Sequence, residues 1–314
     1  MMPSDRLLWK RCSPEPWIRS QLGTLAPEGV TTPDVLFKDG QYFIYVGAID
    51  SGRERIIVFP LDPLEFVDSH PLTIPTSAQV ALLAGPNIFD NKHVFDPATV
   101  AWGDKVYLYY SAIGQMEDCI GLATSEDAKK FSKVDAPILV GRSPEIVLHQ
   151  GRLFLFYVVK NKYMSYDIYC AIAEEGTIFD IQGLALQSSE EQAWDSFEVT
   201  TPRIFRHGTY YYMVYAASHS PDRKDLPVGF GLARSPDLLQ WEKYPENPVF
   251  EIGKPGTWDD GAIWFGTVLE LHEYLYLIYE GGRLQEPSMQ PPPYTQVGLA
   301  KIETQIFNRI VSKW

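Results

Sequence analysis

The sequence predicts an all-β chain folded as a five-bladed β-propeller, and three observations carry that reading. A segment pattern recurs five times, a hairpin turn sits at the same place in the copies, and apolar residues at helical spacing are nearly absent. Units spaced by roughly 50 to 65 residues favour a ring of blades over a sandwich, which has no need to repeat one inner-strand motif.

The copies read TTPDVLFKDGQYFIYVGA from Thr31, FDPATVAWGDKVYLYYSA from Phe95, RSPEIVLHQGRLFLFYVV from Arg142, TTPRIFRHGTYYYMVYAA from Thr200 and WFGTVLELHEYLYLIYEGG from Trp264. Superposing Pro33, Pro97, Pro144 and Pro202 brings Asp39-Gly40, Gly103-Asp104, Gln150-Gly151 and His207-Gly208 into register as hairpin turns. The fifth copy has no proline. A third strand follows in most units: CIGLATSEDAKKF, YDIYCAIAEEG, GFGLARSPDLLQWEKYPENPVF and QVGLAKIETQIF. The blades fall at about 25–85, 90–138, 140–190, 194–252 and 256–314. Trp194-Asp195 and Trp258-Asp259 open the last two at matching positions, as blade-packing anchors or as ligand contacts.

Composition narrows the function classes. Of 314 residues, 45% are hydrophobic and 13% aromatic, enough for a packed core of pleated sheets. A net charge of −13, with no Lys/Arg cluster, argues against a nucleic-acid partner and an anionic membrane surface. The opening MMPSDRLLWKRCSPEPW has no apolar secretory core, and no run approaches a membrane span, so a cytoplasmic location is expected. Cys12, Cys119 and Cys170 are scattered, which predicts neither a disulfide framework nor a zinc site. No cofactor and no metal are expected, and oligomeric state leaves no signal.

Propeller topology then locates a site. The inner strands begin at one mouth of the axial channel, and the longer connections AIDSGRER, AIGQMEDC, VKNKYMSYD, ASHSPDRKDLPVG and EGGRLQEPSMQPPPYTQ return to it. His149, His207 and His272 fall in turns on the far side, whereas His93 and His219 stay near this mouth. One residue after the aligned proline stand Asp34, Ala98, Glu145, Arg203 and Thr267; one before it stand Thr32, Asp96, Ser143, Thr201 and Phe265. Side chains two apart on a strand share a face. Asp34, Asp96, Glu145 and Arg203 are therefore expected to converge on the axis, with Glu198 near the same mouth.

Carboxyls crowded in a partly dry pocket push their pKa values apart, leaving one as acid and another as base. That is the pair glycoside hydrolysis needs, set roughly 6.5–9.5 Å apart for inversion. Asp34, Asp96, Glu145 and Glu198 are the catalytic candidates. Arg203, His93, Trp258, Asp260, Trp264, His219 and Glu280 are the candidates for binding a small carbohydrate. The same acids could instead bond backbone amides at the strand starts or pair with Arg203.

These motifs resemble the five-bladed propeller glycoside hydrolases: families 43, 32, 68 and 117, and the mannoside phosphorylases of family 130. The resemblance runs from about Thr31 to the end of the chain and is carried by FDPATV, SPEIVLHQGRLFLFY and FGLARSPDLLQWEKYPENPVF. By blade position it implies Asp34 as base, Glu145 as the pKa-tuning carboxylate and Glu198 as acid, with Asp96 an extra axial carboxylate or itself the tuning one. The chain departs from family 43 in having Thr32 directly before Pro33, where the base stands, and Thr200 two before Pro202, where the acid stands. The resemblance implies a glycosidase, inverting, acting on a small oligosaccharide or glycoside. Two alternatives stay open: a phosphate-dependent phosphorylase, with Arg203, His219, Arg223 and Lys224 holding the anion, and a carbohydrate-binding propeller without catalysis.

Overall fold

The computed structural model describes residues 9–64, 66, 71–283 and 295–314. Residues 284–294 of the long fifth connection, and 1–8 of the N-terminal stretch, lie outside the described residues.

Five antiparallel sheets form the blades of a propeller. Their innermost strands are Gly29–Lys38, His93–Trp102, Arg142–His149, Glu198–His207 and Ala262–Leu271, each hairpinned to a second strand. The second strands, such as Lys105–Ile113 and Tyr210–Ser218, are buried on both faces because each sheet is covered by its neighbours. The turns obey their chemistry. Asp39 and Gly40 have φ of 51° and 81°, and Gln150 and Gly151 have 51° and 77°, the doubly left-handed pair that suits strand twist.

A tie recurs at the blade edges. In the second, fourth and fifth blades a tyrosine of the second strand donates to a buried aspartate: Tyr110 to Asp90 at 3.1 Å, Tyr215 to Asp195 at 3.2 Å, Tyr279 to Asp259 at 2.8 Å. Each aspartate also meets a cation, respectively Lys133, Lys243 and Arg11. The ring needs a glycine beneath it: a Cβ at Gly231 would fall 2.3 Å from Tyr215 Cζ. Trp194 and Trp258 pack on Tyr215 and Tyr279 with centroids 5.9 and 5.7 Å apart, so the Trp-Asp pairs are packing anchors.

Arg11 shows how the ring closes. Lys10–Arg11 pairs antiparallel with Gln296–Glu303, so the outermost strand of the fifth blade comes from the chain's other end. Trp9 Nε1 donates to Leu275 O in the same sheet. The QVGLAKIETQIF segment, expected as one strand, stops at Glu303 and continues as the helix Thr304–Val311. Ile306, Phe307, Ile310 and Val311 share one helical face, which seats Phe307 against Tyr212 and Phe205. Among the described residues no helix is long and apolar enough to cross a membrane.

Candidate active site

The site begins with a backbone irregularity. Every innermost strand slips register against its partner at the same place: Thr31/Asp34, Phe95/Ala98, Arg142/Glu145, Thr200/Arg203 and Trp264/Gly266. The residue inside each slip is left-handed, with φ of 32° at Thr32, 51° at Asp96, 51° at Ser143, 46° at Thr201 and 46° at Phe265. Non-glycine residues rarely adopt this conformation, and each costs roughly 1–3 kcal/mol that the surrounding sheet must offset. The bulge breaks the period-two alternation. All five bulged residues consequently line one axial cavity of about 350 Å3.

Around that rim stand Glu54, Arg142, Tyr166, Asp225, Trp264 and Glu280. Asp96 and Glu280 meet through Thr32. The Thr32 hydroxyl lies 3.0 Å from Asp96 Oδ1 and 3.3 Å from Glu280 Oε2, and the Thr32 N–H donates to the same Glu280 oxygen at 2.8 Å. Asp96 Oδ2 accepts from Ser111 at 2.7 Å and Ser143 at 3.3 Å.

Burial raises both carboxyls, and their partners oppose it to different degrees. The Glu280 carboxyl is pushed up to about 8 by burial, partly opposed by the Thr32 N–H, with Asp96 and Glu54 adding repulsion. Asp96 is raised by burial while Arg142, the Ser111 and Thr32 hydroxyls and Arg203 favour its charged form. A hydroxyl has one proton, so Thr32 cannot donate to both oxygens at once; a proton on Glu280 satisfies the second contact. Glu54 is also pushed up, to about 7, by burial and Asp96.

The residues after the proline occupy a second layer, about 7 Å further along the strands. There they stitch blade to blade. Asp34 Oδ2 accepts from the Thr99 N–H at 2.8 Å, and Glu145 Oε1 accepts from the Ile204 N–H at 2.8 Å, one blade onward in each case. Thr267 donates to Pro33 O at 2.7 Å. Arg203 donates to Pro144 O at 2.8 Å, Pro97 O at 2.9 Å and Glu145 at 3.2 Å, with Phe265 over its guanidinium. Of the four residues expected to converge on the axis, Asp96 lines the cavity, while Asp34, Glu145 and Arg203 lie in the stitching layer, where Arg203 is close enough to bias the Asp34, Asp96 and Glu145 carboxyls.

Glu198 is fully buried beside the cavity rather than in its lining. Its Oε1 accepts from Ser218 at 3.2 Å and from the Asp225 N–H at 3.2 Å, and burial and Asp225 push its carboxyl up to about 7. It thereby holds the connection whose Asp225 does line the cavity, at a left-handed φ of 59°. Trp264 lines the cavity too, its indole N–H donating to Asp225 O at 3.1 Å.

Four other expected binding residues fall outside the lining. His93 sits behind Glu54, 3.6 Å from its carboxylate, and burial lowers its pKa. His219 accepts from Ser196 through its backbone carbonyl, Trp258 packs on Tyr279, and Asp260 accepts from the Gly256 N–H in its own turn. Glu54, Arg142, Tyr166 and Asp225 were not among the candidates. Arg142, adjacent to Ser143, was the findable one; Glu54 and Tyr166 open the third strands of their blades, and Asp225 sits on a connection whose course the repeat does not fix.

Comparisons with protein-family models and with curated proteins each give no match. Solved structures do match over nearly the whole chain. A family-130 structure, described as belonging to a family of mannoside phosphorylases that contains glycoside hydrolases targeting β-1,2 mannosidic linkages in Candida mannan, superposes with a TM-score of 0.73 at 14% identity, covering 97% of this chain and 96% of that one. A thermostable family-43 glycoside hydrolase gives 0.63 at 20% identity over 88% and 89%. A glycosyl hydrolase from Bacteroides ovatus gives 0.70 at 13% identity over 96% and 94%. The fold is that of the glycoside hydrolase propellers. At 13–20% identity the likeness is one of fold; the carboxylates that line this chain's cavity, among the described residues, are Glu54, Asp96, Asp225 and Glu280.

Proposed function

We propose that the chain cleaves a glycosidic bond of a small saccharide in the axial cavity, with Glu280 as the acid. The observation that carries this is the Asp96–Thr32–Glu280 bridge, in which two buried carboxyls with raised pKa values share one hydroxyl and Glu280, pushed up to about 8, keeps a proton near neutrality. A cavity of about 350 Å3 is at the small end of ligand sites, which suits a short glycoside rather than a polymer. Trp264 and Phe265 supply apolar faces for a sugar ring.

The shared hydroxyl also fixes which groups pair. The bridging oxygens of Asp96 and Glu280 lie no further apart than contacts of 3.0 and 3.3 Å laid end to end. Inversion needs a gap of roughly 6.5–9.5 Å for its water, so the base stands elsewhere. Glu54 is drawn toward its protonated form by burial and Asp96, which leaves Asp225, carried by the fourth blade. In this reading water attacks the anomeric carbon and gives its proton to Asp225, the glycosidic C–O bond breaks, and Glu280 delivers its proton to the leaving oxygen. Asp96 keeps Glu280 protonated in the resting site.

Phosphorolysis has less support. Arg203 is engaged by backbone carbonyls, Arg223 reaches Gly261 O, and among the described residues the cavity lining places one arginine with four acids, Glu54, Asp96, Asp225 and Glu280. A screen of aryl glycosides and short oligosaccharides, with and without phosphate, tests the proposal. Sugar release without phosphate is expected. Release only with phosphate would make the chain a phosphorylase, and binding without release would make it a carbohydrate-binding propeller.

A further inference from the structure

We propose that Arg142, with Tyr166 beside it, forms an oxyanion subsite of the axial cavity that takes a carboxylate on the substrate's sugar, so that the preferred ligand is an acidic saccharide. This deepens the carbohydrate reading above and rests on it.

Among the described residues Arg142 is the one lysine or arginine in the cavity lining. Its Nε is buried and has no hydrogen-bond partner among the described residues. The nearest carboxylate oxygen, Asp118 Oδ2, is 3.8 Å away, beyond hydrogen-bond reach. The Phe95 ring lies 5.2 Å from the guanidinium carbon and fixes its plane. Lys133, Lys243 and Arg11 are engaged by their aspartates. Arg203 also has a buried Nε without a partner among the described residues, but its terminal nitrogens are taken by Pro144 O, Pro97 O and Glu145 and it does not line the cavity. Arg142 does, with the Tyr166 hydroxyl as a hydrogen-bond partner.

A guanidinium so placed offers parallel N–H donors, and a carboxylate fills such a fork where a neutral hydroxyl fills one donor. A carboxylate on those donors gains charge-assisted hydrogen bonds, stronger than the single bond a neutral hydroxyl accepts. The charges facing Arg142 are Asp96, Asp118 and Asp225, with Glu54 and the Tyr166 hydroxyl. Asp96 is engaged by the Thr32, Ser111 and Ser143 hydroxyls, and Glu54 and Glu280 hold protons near neutrality. The negative wall is therefore weakest below neutral pH, where acidic ligands should bind best.

Calorimetric titration of the intact chain at pH 6 tests this without turnover. The probes are D-glucuronate and D-galacturonate, their methyl esters, D-glucose, D-galactose and inorganic phosphate. A uronate is expected to bind about tenfold tighter than its own ester, an advantage lost in Arg142→Gln and partly kept in Arg142→Lys. An ester that binds as tightly as its acid, or an advantage that survives Arg142→Gln, overturns the proposal. Phosphate binding tighter than either uronate assigns the subsite to a free oxyanion and overturns the carboxylate. If Arg142→Gln does not fold, the acid–ester comparison and Arg142→Lys still decide. Neutral sugars that bind without any acid advantage sink this inference alone, whereas failure of every sugar to bind sinks the carbohydrate reading with it.

Discussion

Asp96 and Glu280, from the second and fifth blades, contact the same hydroxyl, that of Thr32 in the blade between them, at 3.0 and 3.3 Å. Thr32→Val keeps the side-chain shape and the N–H to Glu280 while removing the hydroxyl. It should leave the fold intact and lower kcat by roughly ten- to a hundredfold, whereas Thr32→Ser should retain most of the rate. Steady-state kinetics with a melting curve for each variant checks this; a fully active Thr32→Val would show the hydroxyl to be incidental.

The raised carboxyls make stability depend on pH in a stated direction. Glu280 and Glu145 are pushed up to about 8, and Glu54 and Glu198 to about 7, from an ordinary 4.5. Between the ordinary and the raised value the folded chain holds protons that the unfolded chain has released, so stability falls as pH rises through that window. The melting temperature should therefore drop between pH 5 and pH 8, and less steeply in Glu280→Gln. A melting temperature that climbs across this range would contradict the buried, protonated state.

Arg11 and Asp259 join the N-terminal strand to the entry of the fifth blade at 2.7 Å, and Asp259 is fully buried. Arg11→Ala leaves that aspartate with only the Tyr279 hydroxyl and the Thr257 side chain. A loss of roughly 3 kcal/mol in unfolding free energy is expected, as for breaking one partner from a buried pair. Chemical denaturation measures it. Lys243→Ala, which strips the equivalent Asp195, serves as the internal comparison.

Glu198 separates the family's pattern from the geometry. Acting as the acid, it would be inactivated by Glu198→Gln. Positioning Asp225 through the N–H it accepts at 3.2 Å, it would be replaced by a glutamine whose carbonyl accepts the same bond. Glu198→Gln should keep most of kcat and Glu198→Ala should lose it, with KM rising as the Asp225 connection loosens. Equal loss in both variants would restore Glu198 to the chemistry.

The ring of blades is legible in the sequence because the prolines, the turn pairs and the paired apolar strands repeat at one spacing. The closure is not, since Lys10–Arg11 is too short to announce a strand and its partner lies at the far end of the chain. The site was half legible. Asp96, Trp264 and Glu280 are cavity residues that the strand starts and ends point to. Strict alternation puts Asp34 and Glu145 on one face with Thr32 and Ser143, whereas the bulge sets them one layer down, in bonds with Thr99 and Ile204. A left-handed threonine before a proline carries no sequence mark of its own. Asp225 belongs to a connection, where no periodicity constrains the path, and Glu54 stands at the start of the strand Arg53–Leu61, just past one.

The two layers give opposite expectations for one set of variants. Hydrolysis of the best substrate from the screen should be measured for Asp96→Asn, Glu280→Gln, Asp34→Asn and Glu145→Gln, each with its melting temperature. The first two should lose about a hundredfold or more in kcat and stay folded, while the second two should keep kcat and melt earlier. Full activity in Asp96→Asn and Glu280→Gln, with loss in Asp34→Asn and Glu145→Gln, would contradict the assignment of chemistry to the bulge layer.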